Sequence, residues 1–155
     1  QRRLLILVDG NKTVNDLERV GDETKKIARI ALKLQRLQDG HGARAVPLLE
    51  DIERMSRAVA AVLRGAMDAL ARLDLSQAQW VLDQDAQVDL AYKALLTRLT
   101  ALMMEMPEQV PSAVQVIFAV KGLERIGDHA KNIAEYVFYV VEGRDVRHPK
   151  AQAAG

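Results

Sequence analysis

Apolar positions recur at three- and four-residue spacing along most of the chain, the mark of helices with one buried face. Four segments stand out. The first covers about residues 11–38, with Val14, Leu17, Val20, Ile27, Ala31 and Leu34 on one side. Asp39-Gly40-His41-Gly42 breaks it, glycine being suited to a helix C-terminus. The second covers 48–73 through Ile52, Met55, Val59, Val62, Ala66 and Leu70, with Pro47 at or near its first turn, where proline is tolerated. Asp74-Leu75-Ser76 is a short connection in which Ser76 is the expected N-cap. A third helix over 77–106 then buries Val81, Val88, Tyr92, Leu95, Leu99 and Leu102. Pro107 and Pro111 bracket the start of a fourth, which runs to about Glu142 and stops at Gly143. Short connections make neighbouring helices antiparallel, so 48–142 read as an up-down-up three-helix bundle. Asp9-Gly10-Asn11 carries turn chemistry: either the first helix starts near Asn11, or residues are missing around Asp9.

The first and fourth helices share more than apolar spacing. Leu17-Glu18-Arg19-Val20-Gly21-Asp22 returns as Leu123-Glu124-Arg125-Ile126-Gly127-Asp128, and Lys25, Ile27 and Ala28 return as Lys131, Ile133 and Ala134, all at an offset of 106. Chance rarely repeats such a core, so the chain carries an internal duplication. The offset aligns residue 1 with residue 107, so residues 1–38 read as the last helix of a first bundle whose two preceding helices are absent. A linker follows at 39–47, the second bundle at 48–148 and a flexible tail at 149–155. A lone amphipathic helix cannot bury its stripe. The first helix therefore packs on helices outside this sequence, on another bundle or on another subunit.

Composition agrees with an all-α domain. Apolar residues are 49% and charged residues 28%, which is globular, and aromatics are only 4%, which argues against a sandwich or barrel. The net charge of +1 gives no reason to propose a nucleic-acid partner. With no cysteine there is no disulfide, thiolate zinc site or thiol nucleophile. No apolar run approaches the roughly 20 residues that span a bilayer. The N-terminal apolar run is too short for a signal peptide and ends at Asp9. A cytoplasmic protein without direct membrane insertion is the expectation.

The candidate chemistry lies in carboxylates. Glu18/Asp22 and Glu124/Asp128 are E-x-x-x-D pairs and Asp85/Asp89 is D-x-x-x-D, so each pair shares one helix face and repels itself. A hard cation turns that repulsion into a site, all-oxygen ligands suiting magnesium, manganese, calcium or iron. The bland alternative is a solvated face balanced by neighbouring lysines such as Lys121 and Lys131. Gly21 and Gly127, mid-helix before each aspartate, mark a close approach of a ligand or, more simply, of another helix. His129 has no counterpart in the first repeat and reads as surface. Trp80 and Met103, Met104 and Met106 read as core or bundle-end packing. No glycine-rich phosphate loop and no nucleophile–base pair is evident.

The repeated LERxGDxxxxIA, together with Asp85-Ala86-Gln87-Val88-Asp89-Leu90-Ala91-Tyr92 and Val140-Val141-Glu142-Gly143, resembles the PhoU family of phosphate-uptake regulators. The resemblance covers about residues 13–148. It implies an all-α fold of antiparallel three-helix bundles in tandem, PhoU- or spectrin-like, with the first bundle incomplete here. It also implies a divalent metal or iron (magnesium, manganese, iron or zinc) at Glu18, Asp22, Asp85, Asp89, Glu124 and Asp128. It further implies a cytoplasmic homodimer that represses the phosphate-starvation response by linking a phosphate ABC transporter to a sensor histidine kinase. The family's first-half metal motif lacks its partner helix in this chain. Two rivals differ in class: a metal-dependent hydrolase or oxidase using clustered carboxylates, and a purely structural scaffold. Turnover singles out the enzyme, and metal content singles out the scaffold.

Overall fold

The computed structural model describes residues 2–40 and 46–143, with residues 2–9, 38 and 40 described by their backbone alone. The described residues form four helices, α1 (Arg2–Gly40), α2 (Leu49–Arg72), α3 (Leu75–Glu105) and α4 (Val110–Glu142), with a 3-10 turn at Pro107–Gln109 before α4. Helices α2, α3 and α4 pack against one another as the up-down-up bundle, and α1 lies along α4. The expected break at Asp39-Gly40-His41-Gly42 comes later than its first two residues, since α1 continues through Gly40; His41 and Gly42, part of the linker and the tail lie outside the described residues.

Each boundary has a local cause. Helix α2 ends at Leu73, which adopts the left-handed conformation and donates its N–H to the Ala69 carbonyl. The cap of α3 is Asp74, not Ser76: its carboxylate accepts from the Gln77 N–H at 3.1 Å. Aspartate two residues earlier reaches the free N–H groups first, so Ser76 is drawn into the helix. Gly143 closes α4 with a φ of 67° and an N–H bonded to the Tyr139 carbonyl.

The expected start of the first helix near Asn11 is wrong: α1 is continuous from Arg2 through Asp9-Gly10-Asn11. Tertiary contact overrides the turn chemistry here. Gly10 lies beside α4, where a Cβ would be in ordinary contact, 3.5 Å from the Tyr136 hydroxyl oxygen.

The core is Met55, Val59, Val62 and Ala69 of α2, Val81, Val88, Leu95 and Leu99 of α3, and Val116, Val120, Ile133 and Val137 of α4. Helix α1 turns only part of its expected apolar stripe inward: Leu34 joins the core and Leu17, Val20 and Ile27 pack against it, but the buried face also takes in polar residues. Thr13, Glu23 and Leu34 are buried, while Val14 and Ala31 are exposed. Its contacts with α4 run antiparallel, from Gly10 at Tyr136, through Asp16 at His129, to Ile27 at Gly122. Under the offset of 106, Asp16 corresponds to Gly122 and Glu23 to His129. Contacts at one end thus map onto contacts at the other, and the two related helices cross about a local pseudo-twofold axis. Two further expectations shift. Trp80 leans on Gly65, where a Cβ would sit 2.8 Å from the indole ring, and stays partly exposed instead of entering the core. Met104 and Met106 are exposed, whereas Met103 packs on the core.

Candidate metal centre

Helices α3 and α4 approach closely where Gly127 faces Val88: a Cβ on Gly127 would lie 3.4 Å from Val88 Cγ1. That is the near limit of ordinary contact, so an alanine would just fit and the approach does not by itself require glycine. The approach brings the two acidic pairs together, because Asp85 and Asp89 flank Val88 by three residues and one, and Glu124 and Asp128 flank Gly127 likewise. Asp85, Asp89, Glu124, Asp128 and Val88 line one cleft of about 230 Å³.

Lysines partly balance this charge. Lys131 reaches Asp85 at 3.2 Å, Lys93 reaches Asp89 at 3.0 Å, and Lys121 reaches Glu124 at 3.1 Å. Lys121 also lies 5.3 Å from the Tyr92 ring centroid, within cation–π range. Its bond to Glu124 and that of Lys131 to Asp85 hold both ammonium groups above the usual lysine value. Among the described residues no lysine forms an ion pair with Asp128. Partial burial, then the hydrogen bond and charge of Glu124 and the charge of Asp85, push its carboxyl up to about 6, and Lys131 pulls the other way.

The donor set suits a hard cation, four carboxylate groups being the ligands such ions prefer. As the side chains stand, no three His, Cys, Asp or Glu residues among those described converge to hold an ion. Occupancy therefore requires the lysines to swing away and Asp128 to lose its proton. All three lysine side chains are substantially exposed.

Glu18 and Asp22 are placed differently. Both are exposed on α1, nothing lies within 4 Å of a Cβ built on Gly21, and neither lines the cleft. The reading of His129 as surface is corrected. Its Nδ1 lies 2.7 Å from Asp16 Oδ1, Asn132 donates to the same oxygen at 3.2 Å, and the imidazole is largely buried between α1 and α4. The sequence held no signal for this: the repeat pairs residue 16 with 122 and residue 23 with 129, and Asp16 meets His129 only once α1 lies antiparallel on α4.

These features define a helical-bundle protein with an acidic cleft between two helices. Among the described residues no helix is long and apolar enough to cross a membrane. A family model described as the PhoU domain matches residues 52–137. A phosphate-specific transport system accessory protein PhoU homolog of Pseudomonas putida is 41% identical over 145 residues, covering 94% of this chain and 55% of that protein. The phosphate-specific transport system accessory protein PhoU of Escherichia coli (strain K12) is 36% identical over 146 residues, covering 94% and 57%. The crystal structure of PhoU from Pseudomonas aeruginosa aligns with a TM-score of 0.82 at 38% identity, over 93% of this chain and 66% of that one. The chain belongs to the PhoU family, a family of accessory, regulatory proteins. It spans somewhat more than half the length of the curated relatives it matches.

Proposed function

We propose that this chain is the working part of a regulatory adaptor in phosphate homeostasis. It modulates phosphate uptake and represses the phosphate-starvation response by joining a phosphate ABC transporter to a sensor histidine kinase. It acts through helix faces, without catalysis, as a cytoplasmic homodimer. The observation that carries the reading is the identity, across nearly the whole chain, to proteins named as accessory to phosphate-specific transport. Asp85, Asp89, Glu124 and Asp128 are the residues that hold a divalent metal or iron. The ion neutralises their mutual repulsion and so ties α3 to α4.

The test is genetic. Deleting the gene derepresses phosphate-scavenging genes in phosphate-rich medium, and the wild-type gene restores repression. Unchanged expression in the deletion strain overturns the adaptor reading. Complementation with Glu124→Gln/Asp128→Asn then separates the two parts of the proposal: full repression by that variant removes the metal from regulation and leaves the adaptor standing.

A further inference from the structure

The pseudo-twofold relation between α1 and α4 creates two related grooves, one at each end of their contact, and the two have diverged in charge. One holds about 210 Å³ and is lined by Lys12, Asp16 and Glu135 with asparagines and tyrosines. The other holds about 570 Å³, and its walls carry Lys26, Arg29 and Lys33 from α1 and Lys121 and Arg125 from α4, against one carboxylate, Glu23. Under the repeat offset, Arg29 and Lys33 correspond to Glu135 and Tyr139. Glu23 is already engaged, 3.6 Å from both Lys26 and Arg125, and Lys121 is held by Glu124. Arg29 and Lys33 have no ion pair among the described residues.

The floor of the larger groove is apolar. Ile27, Ile30, Ile117 and Tyr92 line it, and Phe118 stands 58% exposed at its mouth. Cations at 26, 29 and 33 follow helical spacing and span about 10 Å along α1. An apolar trough edged by cations is complementary to one kind of occupant, an apolar stripe edged by carboxylates. A single small anion cannot use it: the cations are exposed and spread apart, and each alone is weak in water. A bilayer surface favours a protruding apolar face, whereas this one is concave.

We propose that the groove between α1 and α4 bounded by Lys26, Arg29, Lys33, Phe118 and Arg125 docks an acidic amphipathic helix of a partner protein. The site rests on the adaptor reading and gives it a surface: one partner is held here, on the face away from the Asp16–His129 end. Phe118 inserts between apolar residues of the incoming helix, and Arg29 and Lys33 pair with its flanking carboxylates.

Direct binding tests this independently of regulation. The intact protein carrying this chain is titrated against a fluorescent amphipathic helical peptide with leucine and phenylalanine on one face, edged by glutamate. Parallel arms use the same peptide with lysine for glutamate, polyglutamate, single-stranded DNA, and vesicles containing phosphatidylglycerol. The acidic amphipathic peptide should bind best, and added salt should weaken it. Arg29→Glu/Lys33→Glu should cost about tenfold or more in Kd. Phe118→Ala, at an exposed position that leaves folding intact, should cost several-fold, and Arg57→Glu on the remote face of α2 should cost nothing. Equal binding of polyglutamate, preference for DNA or vesicles, or indifference to the double reversal each overturns the proposal. A groove that binds in vitro while the deletion strain keeps repression sinks the adaptor reading and leaves the docking site intact.

Discussion

Helices α1 and α4 carry the same LER-x-GD core, yet they live in different surroundings. Val120 is fully buried and its repeat counterpart Val14 is 55% exposed; Phe138 is 5% exposed and Leu32 is 55% exposed. The face that α4 turns toward α2 and α3 is the face that α1 leaves open. Both helices instead use a second face, with small or polar residues such as Thr13, Asp16, Glu23, Gly122 and His129, to pack on each other. A duplicated sequence therefore encodes two contact faces in each helix, and neighbours decide which of them is a core. The same holds for the acids. Glu124 and Asp128 become a cleft because α3 supplies Asp85 and Asp89 opposite them, whereas Glu18 and Asp22 remain on a solvated face of α1.

Matched substitutions at repeat-related positions press this comparison hardest in the core. Phe138→Ala should lower unfolding free energy by about 3–5 kcal/mol, through lost burial and a residual cavity. Leu32→Ala should stay within about 0.5 kcal/mol, the range of surface changes. Urea unfolding of the two variants measures the difference, and equal losses would show that Leu32 is covered in the intact protein.

Metal response comes next. An ion bound to the folded state stabilises by about 2.7 kcal/mol at a hundredfold excess over Kd. Melting should rise with manganese or iron(II) and fall with chelator. Glu124→Gln/Asp128→Asn should erase this response, while Glu18→Gln/Asp22→Asn should leave it. A shift that survives the first pair and disappears with the second reverses the assignment of the site.

The glycines offer a smaller and cleaner contrast. Gly21→Ala meets no atom within 4 Å and should gain about 1 kcal/mol from helix propensity. Gly127→Ala brings its methyl to the near limit of ordinary contact with Val88 and should gain less, because no slack remains on that side. Destabilisation by Gly21→Ala in thermal melts would place a closely packed neighbour over α1.

Acidity gives the smallest effect, since Asp128 keeps an open side to solvent. Its pKa is raised from 3.8 to about 6 in the folded chain. The folded state therefore binds this proton more tightly than the unfolded state does. The associated stability is fully present below the ordinary carboxylate value and is lost as pH rises through about 6. Metal-free protein should melt higher at pH 5 than at pH 7, and Asp128→Asn should flatten that difference. Metal should act in the opposite sense, stabilising more above pH 6, where the carboxylate is free to bind.

Much of this was legible in the residues. Helical periodicity placed α2, α3 and α4 to within a few residues, since each buries a stripe that the pattern itself displays. The repeat identified α1 and α4 as relatives, and the i, i+4 spacing named the three acidic pairs. What sequence alone could not supply was partnership. Asp9-Gly10-Asn11 reads as a turn until Tyr136 is seen against Gly10, and His129 reads as surface until Asp16 is opposite it. Serine is a good cap until an aspartate two residues earlier takes the free N–H.

The division has a physical reason. Backbone hydrogen bonds and apolar spacing act over one or two turns, so sequence by itself determined that the chain is helical, where most helices run and which side chains share a face. Burial, charge balance and proton affinity depend on atoms brought from far along the chain. Only the tertiary structure decided that four carboxylates share one cleft, that Asp128 holds its proton to about pH 6, and that one end of the α1–α4 contact gathered cations while its twin did not.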